Sequence, residues 1–313
     1  MHRLPRIEPN AFAAPFGLAG LADAWRAAGP TLAGSQPVAN VIFIISAVVW
    51  LIVVAAYAAQ GAAQVLADLR DPVLGAFVPV ATFPPIVLTT ALAPSAFTAA
   101  RVLLIVFGIL MLIAGGWTMA EWITEDLDID HSHPGYFLPT VAGPLVAAAA
   151  LSALRLHELA EAAFGIGVIS WLLLGSLMWN RLFFRARLAP GLVPTLAIEF
   201  APPAVAGVAY FAIDGGRIDL IARGLAGYAI LMALVQVRLI PLYARLRFSP
   251  GFWAITFSYA VVATDAMVWL VRTRPPGATG YEIAVLTLIT GLIVAIAAKT
   301  LVAIRRGQYF PAR

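Results

Sequence analysis

Apolar runs of about 20 residues, separated by short polar breaks, fill almost the whole sequence. A run of this length crosses the hydrocarbon core of a bilayer as an α-helix, because a helix satisfies its backbone polar groups within the segment. A membrane β-barrel would show weaker segments of about ten residues with alternating hydrophobicity. The pattern therefore predicts an all-α integral membrane protein.

The apolar runs and polar breaks together predict ten transmembrane helices. They are expected near 10–28, 38–60, 74–93, 97–120, 136–153, 160–180, 192–212, 218–243, 251–272 and 281–304. Hydrophobic residues make up 62% of the chain and charged residues 12%, which leaves little sequence for a soluble domain. We expect a single transmembrane domain over residues 1–313, with short N- and C-terminal tails in the cytoplasm.

The basic residues are scattered singly at the ends of the spans. If the N-terminus is cytoplasmic, most of them, including Arg3, Arg181 and Arg313, lie on the cytoplasmic side. This bias predicts a multi-pass protein of the cell inner (plasma) membrane with both termini inside. The same scatter forms no basic patch, which argues against a nucleic-acid partner. Because cysteine is absent, thiolate metal sites and thiolate nucleophiles are excluded.

Proline alternates between the spans. The first, third, fifth and seventh spans contain proline, whereas the even spans have none before Pro241 near the end of the eighth. Each proline removes a backbone hydrogen bond and bends a helix, so the freed carbonyl groups need protein or water as partners. We predict that odd helices are interior and that even helices face lipid, as hairpins around an axis. The ninth span is the exception. The helix-breaking residues singled out on the inner helices are Pro15, Pro84, Pro139, Pro144 and Pro202.

Short motifs occur in order over nearly the whole chain. They are PFGLAGL at 15–21 with Trp25, HPGYFLP at 133–139, LAIEFAPPAVAG at 196–207, GY at 227–228, RLIP at 238–241, FWAITFS at 252–258 and RGQYF at 306–310. Together they resemble the tellurite-resistance/dicarboxylate transporter family, which includes bacterial TehA and the slow-type anion channels of plants.

This resemblance implies five helical hairpins with quasi-fivefold symmetry around a central pore, and a homotrimer with one pore in each protomer. It implies small inorganic or dicarboxylate anions as the transported partners. It also implies a phenylalanine gate on the ninth helix, which the alignment of the WAxxF motif places at Phe257. Without the resemblance, a lone phenylalanine in a membrane helix indicates ordinary packing.

Other residues are candidates for lining the pore. Asp265 lies two helical turns beyond Phe257 and either faces an outer vestibule or pairs with an arginine of an outer loop. Arg238 either reaches the cytoplasmic headgroups or attracts anions at the inner mouth. The other odd spans each carry a phenylalanine that either faces the pore or packs between helices: Phe16, Phe83, Phe137 and Phe200.

Glu199 lies near the middle of the seventh span. A carboxylate at that depth must face a polar cavity, pair with a cation or be protonated. One interpretation is a proton-linked site, which suits a coupled carrier. The other is a structural acid that is hydrogen-bonded to carbonyl groups freed by Pro202 and Pro203.

The acids and histidines of the loop at 121–133 match no closed metal site, so we predict a solvated loop, no metal and no cofactor. The chain also lacks HExxH, GxSxG and P-loop motifs, which argues against an enzyme and against nucleotide-driven transport. The sequence therefore predicts a gated anion channel or channel-like transporter, with membrane lipid around it. The alternative is a proton-coupled C4-dicarboxylate carrier or a tellurite or sulfite efflux protein.

Overall fold

The computed structural model describes residues 6–309, and this range contains helices and turns but no strand. Arg3 and Arg313 of the predicted cytoplasmic set, and the last residue of the RGQYF motif, lie outside the described residues. The α-helices are α1 Ala13–Ala27, α2 Ser35–Ala58, α3 Ala62–Arg70, α4 Phe83–Leu92, α5 Phe97–Thr124, α6 Gly143–Ala153, α7 His157–Phe184, α8 Ala201–Ile213, α9 Leu220–Ala244, α10 Trp253–Thr273 and α11 Ala278–Arg305.

Within the described residues, nine helical segments are long and apolar enough to cross a membrane. They are Ser35–Ala58, Gly75–Leu92, Phe97–Thr124, Pro134–Ala153, His157–Phe184, Val193–Ile213, Leu220–Ala244, Pro250–Thr273 and Ala278–Arg305. A multi-pass helical membrane protein is thereby confirmed.

The first predicted span differs from the other nine. Its α-helix, α1, has 15 residues and contains both Asp23 and Arg26, which lower its hydropathy. α1 packs against α2 on one side and α10 on the other. A helix that is enclosed in this way needs less apolar surface than one that faces lipid.

Burial separates the spans into two groups. In four spans, 56% to 83% of an apolar 18-residue stretch is buried, whereas in the other five the buried share is 11% to 28%. The four well-buried spans are Gly75–Leu92, Pro134–Ala153, Val193–Ile213 and Pro250–Thr273. The poorly buried helices expose aliphatic side chains such as Leu173. This division agrees with the predicted alternation of interior and lipid-facing helices, and it includes the ninth span, which lacks an internal proline.

The five inner elements share one construction, in which a short 3₁₀-helix precedes an α-helix. The 3₁₀-helices Pro9–Phe12, Gly75–Thr82, Val193–Phe200 and Pro250–Phe252 lead into α1, α4, α8 and α10. In the fifth element, the 3₁₀-helix Pro134–Phe137 and a π-helical turn, Leu138–Ala142, precede α6.

The five prolines singled out from the sequence lie near the starts of helices and not in their interiors. Pro84, Pro144 and Pro202 are the second residues of α4, α6 and α8, and Pro139 is the second residue of the π-helical turn. Pro15 lies in the first turn of α1. The first N–H groups of a helix have no intrahelical acceptor, so proline removes no hydrogen bond at these positions.

The helices run between two ends of the molecule. At the end that we call proximal, the described chain starts, and Ile7 N–H donates to Gln60 Oε1 over 3.1 Å. Tyr136 Oη donates to the carbonyl of Pro72 over 2.7 Å at the same end. At the opposite, distal end, Ser152 Oγ donates to the Ala212 carbonyl over 2.7 Å. These bonds connect segments that are far apart in the sequence, at both ends of the inner elements.

Candidate functional site

Three cavities lie one after another between the five inner elements. The proximal cavity has a volume of about 230 Å³, the middle one about 30 Å³ and the distal one about 240 Å³. Ala13, Phe77 and Ala254 line both the proximal and the middle cavity. Phe257 lines both the middle and the distal cavity. The cavities therefore form a line that narrows next to Phe257.

The residues that line the distal cavity form layers with one spacing on all five inner helices. The first layer is Gly20, Val87, Val146, Val205 and Val261. The second layer lies three positions further along each helix and consists of Asp23, Thr90, Ala149, Val208 and Thr264. Four positions beyond these are Ala27, Ala153, Ala212 and Val268. Residues three and four apart share a helix face, so each of the five helices turns one face to the cavity.

The same layers continue into the middle cavity. Four positions before the first layer, its lining residues are Phe16, Ala142, Ala201 and Phe257. The corresponding residue of α4, Phe83, is fully buried and meets the Phe16 ring edge-on, with centroids 5.3 Å apart. The next layer towards the proximal end is Ala13, Val80, Leu138, Ile198 and Ala254. The π-helical turn supplies one extra residue between Leu138 and Ala142, and it keeps this element in step with the other four.

Phe257 is held in place by α1. Its ring lies against that of Phe16, with centroids 3.5 Å apart and planes inclined by 12°. Gly20 gives the ring its space, because a Cβ atom at Gly20 would lie 2.9 Å from Phe257 Cδ2. The side chain of Phe257 is 9% exposed. The Phe16 ring borders the middle cavity, and the Phe257 ring borders both the middle and the distal cavity.

Asp23 and Arg26 are the charged side chains among the described residues that line the distal cavity. They form an ion pair between Arg26 Nη2 and Asp23 Oδ1. Arg26 Cζ also lies 5.0 Å from the centroid of the Phe43 ring. Sequence reasoning treated Arg26 only as a residue at the end of a span. The available signal was an aspartate and an arginine three positions apart within a span, where charged residues are rare.

Glu199 and Asp265 lie outside the lining of the three cavities. Both are buried, and Glu199 Oε1 and Asp265 Oδ1 have no hydrogen-bond partner among the described residues. Asp265 faces α8, where a Cβ atom on Gly207 would lie 2.7 Å from Asp265 Oδ1. Asp265 lies eight positions after Phe257, which corresponds to a rotation of about 80° around the helix axis. Thr264 lies seven positions after Phe257, which corresponds to a rotation of only about 20°. Thr264 therefore shares the cavity-facing side of α10 with Phe257, and Asp265 does not.

The structure brings only two of the five candidate phenylalanines, Phe16 and Phe257, to the described cavities. Phe137 is fully buried among helices, and Phe200 packs edge-on against Tyr259 with centroids 5.4 Å apart. Arg238 is exposed on α9, near the proximal end of that helix. Exposed aliphatic side chains surround it, as expected for an arginine that reaches towards the headgroups.

The segment at 125–133 supports the start of the element that contains α6, whereas residues 121–124 of the predicted loop belong to the end of α5. His133 Nδ1 accepts a hydrogen bond from Gly135 N–H over 3.1 Å, and its ring stacks on Phe77. Burial lowers the pKa of His133 to about 4, although the nearby Val73 carbonyl partly opposes this shift. Arg181 Nη2 donates to the Asp130 carbonyl over 3.0 Å. No group of three or more histidines and acids in residues 6–309 could hold a metal ion.

Two comparisons with known proteins agree with each other. Residues 6–301 match the profile of a family described as voltage-dependent anion channel, SLAC1. The chain is also similar to the tellurite resistance protein TehA homolog of Haemophilus influenzae, with 26% identity over 303 residues. That similarity covers 96% of this chain and 91% of the relative. The family match extends over all five inner elements and the three cavities.

Proposed function

The chain belongs to the SLAC1 voltage-dependent anion channel family, and on this premise we propose that it passes small anions through an axial pore plugged by Phe257. The observation that carries the proposal is that Phe257 borders the cavities on both of its sides. A ring at a narrow apolar constriction blocks ions by its bulk and by excluding water. Movement of this one side chain would join the cavities.

The pore is formed by five inner elements within ten transmembrane helices, arranged as five hairpins with quasi-fivefold symmetry in one domain. α1, the first predicted span, joins the nine long apolar segments to make ten, and it is enclosed by α2 and α10. The layers of lining residues, with equal spacing on α1, α4, α6, α8 and α10, support this arrangement.

The preference for anions rests on partial charges and on a single paired arginine. α4, α6 and α8 begin at or near the level of the Phe257 ring, and the N-terminal end of a helix carries a positive partial charge. The remaining walls are mainly valine, alanine and threonine, which hold an ion weakly enough to release it. Small inorganic anions fit this combination.

Replacement of Phe257 by alanine tests the proposal. We expect Phe257→Ala to raise chloride or nitrate conductance in planar bilayers by at least about tenfold, because the constriction loses its plug. Phe183→Ala is the matched control, since Phe183 is 67% exposed on α7 and lies outside the cavities. Conductance that stays at the wild-type level in Phe257→Ala would count against a gated channel.

A proton-coupled carrier for C4-dicarboxylates, or a tellurite or sulfite efflux protein, is the second candidate. The buried Glu199 oxygen without a hydrogen-bond partner among the described residues favours it, because such a carboxyl group is suited to bind a proton. This candidate predicts that Glu199→Gln abolishes malate uptake driven by a pH gradient into proteoliposomes. Uptake at the wild-type rate in this variant would exclude Glu199 as the proton site.

We further propose a homotrimer in the plasma membrane, with lipid around the even spans and the proximal end in the cytoplasm. The exposed aliphatic surface of α2, α5, α7, α9 and α11 supports the contact with lipid. The trimer follows from the family resemblance.

A further inference from the structure

We propose that Arg26 is an anion-binding residue of the distal cavity and that Asp23 is its built-in competitor, which a small monovalent anion displaces on entry. This inference rests on the proposed anion pathway and adds a specific binding site to it. The ligand class is an inorganic anion of about the size of chloride or nitrate, because the cavity volume is about 240 Å³ and its other walls are mainly apolar.

The position of the pair suits this role. Asp23 belongs to the second layer of the cavity, and Arg26 lies one turn further towards the distal end. Their side chains are 25% and 30% exposed, so an ion that enters the cavity reaches both. An anion that moves towards Phe257 from the distal end therefore passes Arg26 before the constriction.

The apolar surroundings of Arg26 strengthen its electrostatic attraction for an anion. The guanidinium lies over the Phe43 ring, and Arg26 also borders an apolar groove between α2, α4 and α5. Coulomb interactions are stronger next to such low-dielectric walls than in water. A guanidinium has five N–H donors, so Arg26 can bond to the entering anion before its bond to Asp23 breaks.

The pair makes the cavity neutral at rest, so each single substitution gives it a net charge. In the Phe257→Ala background, we expect Asp23→Asn to raise chloride conductance about three- to tenfold and Arg26→Gln to lower it by a similar factor. In the double variant Asp23→Asn/Arg26→Gln, the chloride conductance should return towards that of Phe257→Ala alone. At about 1 M salt the differences should fall below about twofold, because the Debye length is then only about 3 Å.

The chain contains a matched control pair. Asp214 and Arg217 have the same spacing at the same end of the molecule, but Arg217 is 77% exposed and both residues lie outside the cavities. Asp214→Asn and Arg217→Gln should leave conductance within about twofold of the parent. Changes of equal sign and size in both pairs, or changes of the same direction in Asp23→Asn and Arg26→Gln, would overturn the proposal.

A measurement of binding separates this inference from the proposed channel. In the purified protein with Phe257 intact, bound chloride should broaden the chloride NMR line, more in Asp23→Asn than in the wild type and not in Arg26→Gln. If the line widths follow this order but Phe257→Ala does not conduct chloride, the anion site is supported and the proposed channel function is wrong. If Phe257→Ala conducts and all variants broaden the line equally, the anion site is wrong.

Discussion

His133 shows how one buried side chain links stability to pH. Burial lowers its pKa from 6.5 to about 4 in the folded protein, so the unfolded chain binds a proton between these values and the folded chain does not. The contribution of His133 to stability is therefore complete well above pH 6.5 and declines as the pH falls towards 4. We expect a loss of up to about 3 kcal/mol in the free energy of unfolding from this residue.

The test compares unfolding in mixed detergent micelles for the wild type and His133→Asn. Asparagine keeps an acceptor for Gly135 N–H but does not titrate, so the variant should show a smaller slope of stability against pH over this range. Equal slopes in the two proteins would show that His133 is not the titrating group.

Residue roles were predictable from the sequence only where a motif or a rare residue marked them. The family motif pointed to Phe257, which the structure places between two cavities. Asp265 lies off the Phe257 face because eight positions do not complete a whole number of helical turns. Arg26 and Asp23 were overlooked, since hydropathy placed them at the end of a span and gave no information about the direction of their side chains.

At the scale of elements, α6 and α7 are joined through a glycine. A Cβ atom on Gly167 would lie 2.5 Å from Leu145 Cγ and 3.2 Å from the Val141 carbonyl oxygen. We expect Gly167→Ala to lower the free energy of unfolding by about 1–3 kcal/mol, because the added methyl group overpacks a tight contact.

Gly165 is the matched control on the same helix, since a Cβ atom there would have no neighbour within 4 Å. Gly165→Ala should leave stability unchanged or raise it slightly, because alanine favours the helix. Thermal unfolding in detergent measures both variants. If the two substitutions have the same effect, the α6–α7 contact is not as tight as described.

The alternation of proline was enough to indicate which spans are inner elements, but not their internal construction. Proline was expected to kink a continuous helix, whereas Pro84, Pro144 and Pro202 start α-helices after other helical turns. The choice between these forms depends on packing against neighbouring helices, which a single sequence does not contain. The ninth span shows the same limit, since burial makes it an inner element without an internal proline.

At the scale of the whole molecule, the orientation in the membrane can be tested directly because the chain has no cysteine. Glu125 near the proximal end and Thr279 near the distal end are both exposed, so each can be replaced by a single cysteine. A membrane-impermeant maleimide added to intact cells should label Thr279→Cys and leave Glu125→Cys unlabelled. The reverse pattern would place the proximal end outside the cell.

The sequence predicted the transmembrane helices more completely than the residues of the candidate site, because a bilayer requires long apolar helices and hydropathy detects them. Within residues 6–309, nine segments satisfy that requirement on their own. The first predicted span does not, since α1 is enclosed by protein and its composition reflects the cavity that it lines.

The π-helical turn at Leu138–Ala142 affects any alignment of the five inner elements with one another. Its additional residue shifts the spacing of the lining residues in one element, so an alignment of the inner elements that permits no gap loses the correspondence of Leu138 with Val80 and Ile198. With a gap of one position in this turn, all five segments align from the proximal layer to the distal one.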